Sequence, residues 1–204
     1  NVTSNAPGSY LNDDFVIGSS QLDFSGNPNH KSRMFFDKDK GAFRTGKVTG
    51  TEWDNSNLGD QSFAAGLNTI ASGDRAVAFG GTSTASGLYS FAAGLRNTAS
   101  GDRSVALGND VIASGYSSMA FGSESIASGA RSFAGGDSSV ASGNRTFVYG
   151  YESVANDWNG IALGNQVKNY GVSAFAVGSF NEVHHSFSNV IGRNNKAKGE
   201  HTTV

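Results

Sequence analysis

The sequence predicts an all-β protein: a parallel β-roll, that is, a two-sided solenoid built from 14-residue coils. Three observations predict it. Glycine stands at Gly66, Gly80, Gly94, Gly108, Gly122, Gly136, Gly150, Gly164, Gly178 and Gly192, each 14 residues from the last, with no insertion or deletion. A fixed period of this kind marks one supersecondary unit stacked on itself. Within the repeat, large apolar and small residues alternate with period two, as they do along a strand. Finally, 28 glycines accompany only two prolines while apolar residues recur on schedule, which separates the chain from disordered low-complexity sequence.

Residues 1–61 lack the repeat. Strand-like runs stand at Phe15-Val16-Ile17 and Arg33-Met34-Phe35-Phe36, with a turn at Gly26-Asn27-Pro28-Asn29 between them and a further strand expected at Lys47-Val48-Thr49-Gly50, before Trp53. A solenoid needs a cover over its open apolar end. This aromatic segment is read as a β-rich capping and trimerising domain, and residues 62–204 as a β-roll of about ten repeats.

With Ser62 as first position, the consensus is S-Φ-A-Φ-G-x-x-x-x-A-S-G-x-x, where Φ is apolar. Position three is Ala in eight of ten copies, and position five is always Gly. Fourteen residues accommodate two five-residue strands and two short turns, fewer than a three-sided coil needs. The glycines then mark the bend after the first strand, where a positive φ or a close backbone approach is required. Helix is excluded, since a glycine about every seven residues would cost about 1 kcal/mol each time.

Position nine reads Ile70, Thr84, Thr98, Ile112, Ile126, Val140, Val154, Lys168, Glu182, Lys196. A place that accepts Lys and Glu faces out, so Ala at position ten faces in. Positions two and four compensate in size: Phe63 with Ala65, Val77 with Phe79, Phe133 with Gly135. That places both inside one closed volume and turns the alanine of position three outward. The alternative puts Phe and Leu on the outer face. Either arrangement leaves little interior in one chain, so both call for oligomerisation.

A net charge of −2 argues against a nucleic-acid partner. The absence of cysteine excludes a disulfide scaffold and thiolate metal sites. No apolar run reaches membrane-spanning length and no signal peptide is visible. The chain starts without Met and stops three positions into an eleventh repeat, so it reads as a piece of a longer protein.

No catalytic, cofactor or metal residues are assigned. Asp37-Lys38-Asp39-Lys40-Gly41 lacks the later ligands of a calcium loop and reads as a solvated turn. His184-His185 are neighbours on a strand and point to opposite faces, so they do not share one ion. No G-x-S-x-G is present, and the repeat serines are structural. Ranked threonines, the mark of an ice-binding face, are missing. Asp74-Arg75 and Asp102-Arg103, 28 residues apart, are candidate bridges between neighbouring chains.

Ser104-Val105-Ala106-Leu107-Gly108 and Ser118-Met119-Ala120-Phe121-Gly122, with Ala-Ser-Gly between them, resemble the head repeat of YadA-like trimeric autotransporter adhesins. The resemblance covers residues 62–204. It implies a left-handed parallel β-roll, a homotrimer, and a place on the bacterial surface, anchored in the outer membrane through parts outside this fragment. The implied function is attachment to host or environmental surfaces, including extracellular-matrix ligands, with no cofactor and no direct membrane contact by this fragment. The alternative is a structural spacer or phage tail-fibre segment. Late copies lose the consensus at Lys168-Asn169, Glu182, His184-His185 and Lys196, which marks either a binding patch or the approach to another module. The second is the reading taken, with Lys168, Glu182 and Lys196 the candidate surface contacts.

Overall fold

The structure, a computed structural model, describes residues 2–3, 15–17 and 31–204. The expected turn at residues 26–29 lies outside them. Two compact units divide the chain, residues 1–100 and 101–204. Each is a parallel β-solenoid.

In the first unit the strands Ser32–Asp37 and Ala42–Lys47 form an antiparallel hairpin, onto whose first strand Phe15–Ile17 pairs. The turn closing the hairpin is the Asp37–Gly41 segment, where the Lys40 amide donates to Asp37 Oδ1 at 2.9 Å. Ala42–Lys47 then pairs parallel with Phe63–Leu67, matching Phe43 to Phe63 and Gly46 to Gly66. The third strand of this segment therefore ends at Lys47, where the sequence reading had it begin. Long strands Phe63–Leu67, Val77–Gly81 and Phe91–Leu95 stack in register, and so do short strands Ile70–Ala71, Thr84–Ala85 and Thr98–Ala99.

The second unit repeats the plan with seven long strands, from Val105–Asn109 to Asn189–Arg193, and seven short ones, from Ile112–Ala113 to Lys196–Ala197. Each coil thus has a five-residue and a two-residue strand, not two equal ones. Two residues suffice because the rest of the second half is spent on bends.

The inward residues are mostly small, and none is aromatic within the repeats. Positions three and ten are wholly buried in every coil, as Ala64 and Ala71 illustrate, and Ser or Thr at position one and Gly at position twelve join them. This overturns the expected facing of the long strand: position three is inside, and positions two and four are outside. A gap walled by alanine on both sides has no room for a phenyl ring. The size compensation is nevertheless real, because positions two and four are neighbours on one outer face. Phe133 lies over Gly135, where an added β-carbon would meet the Phe133 and Tyr149 rings at 2.9 Å. Position nine faces out and position ten in, as its substitutions indicated.

The glycines of position five are the fourth residue of each long strand, not the bend after it. Their φ runs from +97° to +147°, and in nearly every coil an added β-carbon would lie within 3.0 Å of the next coil's glycine carbonyl. Side chains at position eight complete this junction: Ser153 Oγ donates to Gly164 O at 3.0 Å and accepts from the Val167 amide at 3.2 Å.

The bends themselves use non-glycine residues. Every seventh residue from Gln61 to His201 adopts left-handed φ, between 47° and 59°. Their amides reach back to the preceding coil, as Thr82 N–H does to Leu67 O at 2.7 Å. Such a conformation costs roughly 1–2 kcal/mol for an ordinary residue and is least tolerated by a β-branched one. Thr82 is exposed, so Thr82→Asn is expected to stabilise the protein by about 1 kcal/mol, read as a raised urea midpoint; a lowered midpoint would contradict this account of the bends.

Candidate functional site

The outer face of the long-strand sheet is apolar along both units. In the first unit Phe43, Phe63, Phe79 and Phe91 form a continuous row of ring contacts, with centroids 5.3, 5.1 and 6.1 Å apart. In the second, Met119, Phe121, Phe147 and Tyr149 are exposed, and Phe133 stacks on Phe147 at 4.7 Å and 9°. In-register pairing places each residue over its counterpart one coil away, so a column preference in the sequence becomes a stripe on the surface. In each unit, exposed apolar rows of this kind are the type of surface that marks interaction sites in proteins generally.

The short-strand face is mixed. Its column carries Val154, Lys168, Glu182 and Lys196 in register. The structure therefore brings the three candidate contact residues together. Lys196 Nζ lies 2.7 Å and His184 Nε2 3.2 Å from Glu182 Oε2. The bond from Lys196, and then that from His184, holds the Glu182 carboxyl below the usual carboxylate range. Lys168 and Glu182, with Glu152, Gln166 and Phe180, line an open pocket of about 240 Å³. The His184 ring lies against Tyr170 at 5.8 Å. Among the described residues no group of three His, Asp or Glu side chains could hold a metal ion.

Asn169, at the inward position ten, belongs to the interior. It is fully buried, donates to Ile161 O and Ala174 O at 2.9 and 2.7 Å, and accepts from the Gly171 amide at 3.1 Å. Gly160, in place of the usual serine, leaves room beside its amide nitrogen. Arg75 is likewise not engaged with Asp74: it donates to Gln61 Oε1 and Tyr89 Oη, each at 3.0 Å, and lies over the Tyr89 ring.

Arg44 was missed by the sequence reading. It stands level with Ala64 in the strand register but is fully buried. Its guanidinium donates to Ser62 O, Ser62 Oγ and Ala71 O at 3.1, 2.8 and 2.9 Å. Burial lowers its pKa to about 10, against a raising influence from Asp37, so it remains a cation throughout the neutral range. The signal was available: Phe43-Arg44-Thr45-Gly46 aligns with Phe63-Ala64-Ala65-Gly66. Next to it, Phe35, Ala42, Val48, Trp53 and Leu58 form a buried apolar cluster.

The family model of the YadA head domain repeat matches residues 58–83, 71–97, 85–110 and 113–139. The chain carries YadA-like head repeats. Beyond residue 139, coils with the same strand pairing and the same glycine column continue to Gly192. No curated protein matches the chain. Among the described residues no helix is long and apolar enough to cross a membrane.

Proposed function

We propose that this chain is the head of a bacterial surface adhesin, acting as a homotrimer in which three long-strand faces pack around one axis. The observation that supports this most is the apolar stripe on the long-strand face: a YadA-like repeat that keeps only small residues inside must bury its large ones against other chains. The short-strand face then looks outward and is repeated three times. Weak contacts to host or environmental surfaces, including extracellular-matrix proteins, combine along it. The parent protein is placed in the outer membrane by anchoring parts beyond this segment. The role is binding and structural rather than enzymatic; repeat hydroxyls such as Ser132 Oγ, which donates to Gly129 O at 2.7 Å, serve the coil, and those of Ser90, Ser104 and Ser118 are buried in it.

In this reading residues 1–61 close the first coil. Arg44 donates to the Ser62 and Ala71 carbonyls of the first coil, which the Phe43 and Gly59 amides also reach, and the Trp53 cluster covers the apolar end. Lys168, Glu182 and Lys196 belong to the outward face and are its candidate contacts.

Sedimentation of the 204-residue chain is expected to give the mass of three chains. Phe121→Asp with Phe147→Asp, on two exposed rings, should shift the mass to one chain while the β-sheet circular dichroism remains. A wild-type chain that stays single at every concentration would overturn the trimer. Trimer is then titrated against immobilised extracellular-matrix proteins; saturable binding lost in the paired variant supports the adhesin, and no binding to any of them favours the spacer.

A further inference from the structure

The apolar face of the second unit is bounded by edges of opposite charge. Arg131 stands just before the long strand Phe133–Asp137, which ends on Asp137. Arg145 stands just before Phe147–Tyr151, which is followed by Glu152. One coil earlier Glu124 follows Met119–Ser123. Two arginines thus line the edge that enters two successive long strands, and three carboxylates line the edge that leaves those two and the one before them.

Among the described residues none of these five makes an ion pair. Arg131 lies over the Tyr116 ring at 6.0 Å, and Arg145 is fixed only through its amide, which donates to Ala130 O at 2.8 Å. Ser138 Oγ donates to Asp137 Oδ1 at 2.8 Å and lies 3.4 Å from Glu124 Oε2, and Gln166 Nε2 donates to Glu152 Oε2 at 2.6 Å. The carboxylates are held by neighbouring Ser and Gln side chains, and among the described residues neither arginine neutralises them.

A ring of three chains has heterologous contacts, in which one edge of each protomer meets the other edge of the next. Parallel coils around a common axis bring equivalent coils to equal height. We propose that Arg131 and Arg145 of one chain seat between Glu124, Asp137 and Glu152 of its neighbour, a seam that closes the ring and fixes its axial register. This rests on the trimer reading above. The apolar stripe would drive association, and the seam would choose register, since a slip by one coil removes part of the charge match while apolar columns tolerate it.

The chain contains no cysteine, which permits a direct test on the full chain. Ser123→Cys together with Ala130→Cys places one thiol on each edge. A short bis-maleimide is expected to give covalent trimer from the double variant and only single chains from either single variant. Crosslinked dimer from a single variant, or none from the double, overturns the seam. Independently, Arg131→Glu with Arg145→Glu should raise the concentration of half-dissociation about tenfold or more, and adding Asp137→Arg with Glu152→Arg should restore it. A trimer indifferent to the first pair, or not rescued by the second, overturns the seam and leaves the trimer standing. A wild-type chain that never associates overturns both.

Discussion

Gly150→Ala is expected to destabilise the protein by about 3–5 kcal/mol. Two costs add at this residue. Its φ of +147° lies where a β-carbon is strained. That carbon would also fall within 3.0 Å of the carbonyl oxygen, carbonyl carbon and amide nitrogen of Gly164. Those atoms are backbone, in register with the next coil, and have no side-chain freedom with which to yield. Relief requires two coils to part, which breaks hydrogen bonds on both sheets. Because a solenoid couples only nearest neighbours, the damage should be read first as lost amide protection in the coils on either side of residue 150. Gly50→Ala is the control: its φ is ordinary and the nearest atoms to an added carbon are the Glu52 carboxylate oxygens at 3.5 Å. A loss at Gly150 no larger than at Gly50, measured at one protein concentration, would remove the steric account of the glycine column.

The second large effect is expected at Trp53. Trp53→Ala should cost about 3–5 kcal/mol. The indole is fully buried, meets Phe35 edge-on with centroids 6.3 Å apart, and donates from Nε1 to Thr69 O at 2.8 Å. Removing it opens a cavity and leaves a buried carbonyl of the first coil without that donor. Trp53→Phe keeps most of the packing and loses the donor, so it should cost about 1–2 kcal/mol. Amide exchange in residues 62–75 should accelerate in Trp53→Ala before exchange in later coils of the same unit changes. Equal acceleration throughout, or a total loss below about 1 kcal/mol, would show that the segment before residue 62 does not close the first coil.

Much of the fold was legible because the repeat averages out local noise. The glycine register gave the coil length, and the tolerance of Lys168, Glu182 and Lys196 at position nine gave its outward facing. The facing of positions two and four was not legible from their size compensation. Phe133 and Gly135 would compensate in a closed core or side by side on an open face, and sequence cannot distinguish these. The better signal was the opposite one: small residues at positions one, three, ten and twelve leave no space for a large side chain between them. The left-handed bends were illegible because Gln61, Arg75, Tyr89 and Phe187 share no chemistry. What imposes that φ is a hydrogen bond to the coil before, not the residue's own preference. In the candidate site, the stripe and the outward column could be listed from the repeat, and position ten put Asn169 inside, but its bonds to Ile161 O and Ala174 O were not legible because its partners stand eight residues before and five after it.

The wholly buried alanines of positions three and ten have a consequence for the protein's history. Most coils offer their neighbours the same alanine-lined interior, with Val148, Val190, Asn169 and Val183 the exceptions. A gene that gains or loses 42 nucleotides in frame adds or drops one storey, and the new junction meets surfaces it already fits. The stack can therefore lengthen or shorten in steps of about 4.8 Å, while the exterior of each storey diversifies under separate selection. The same interior that makes the single chain thin makes its height an evolvable quantity.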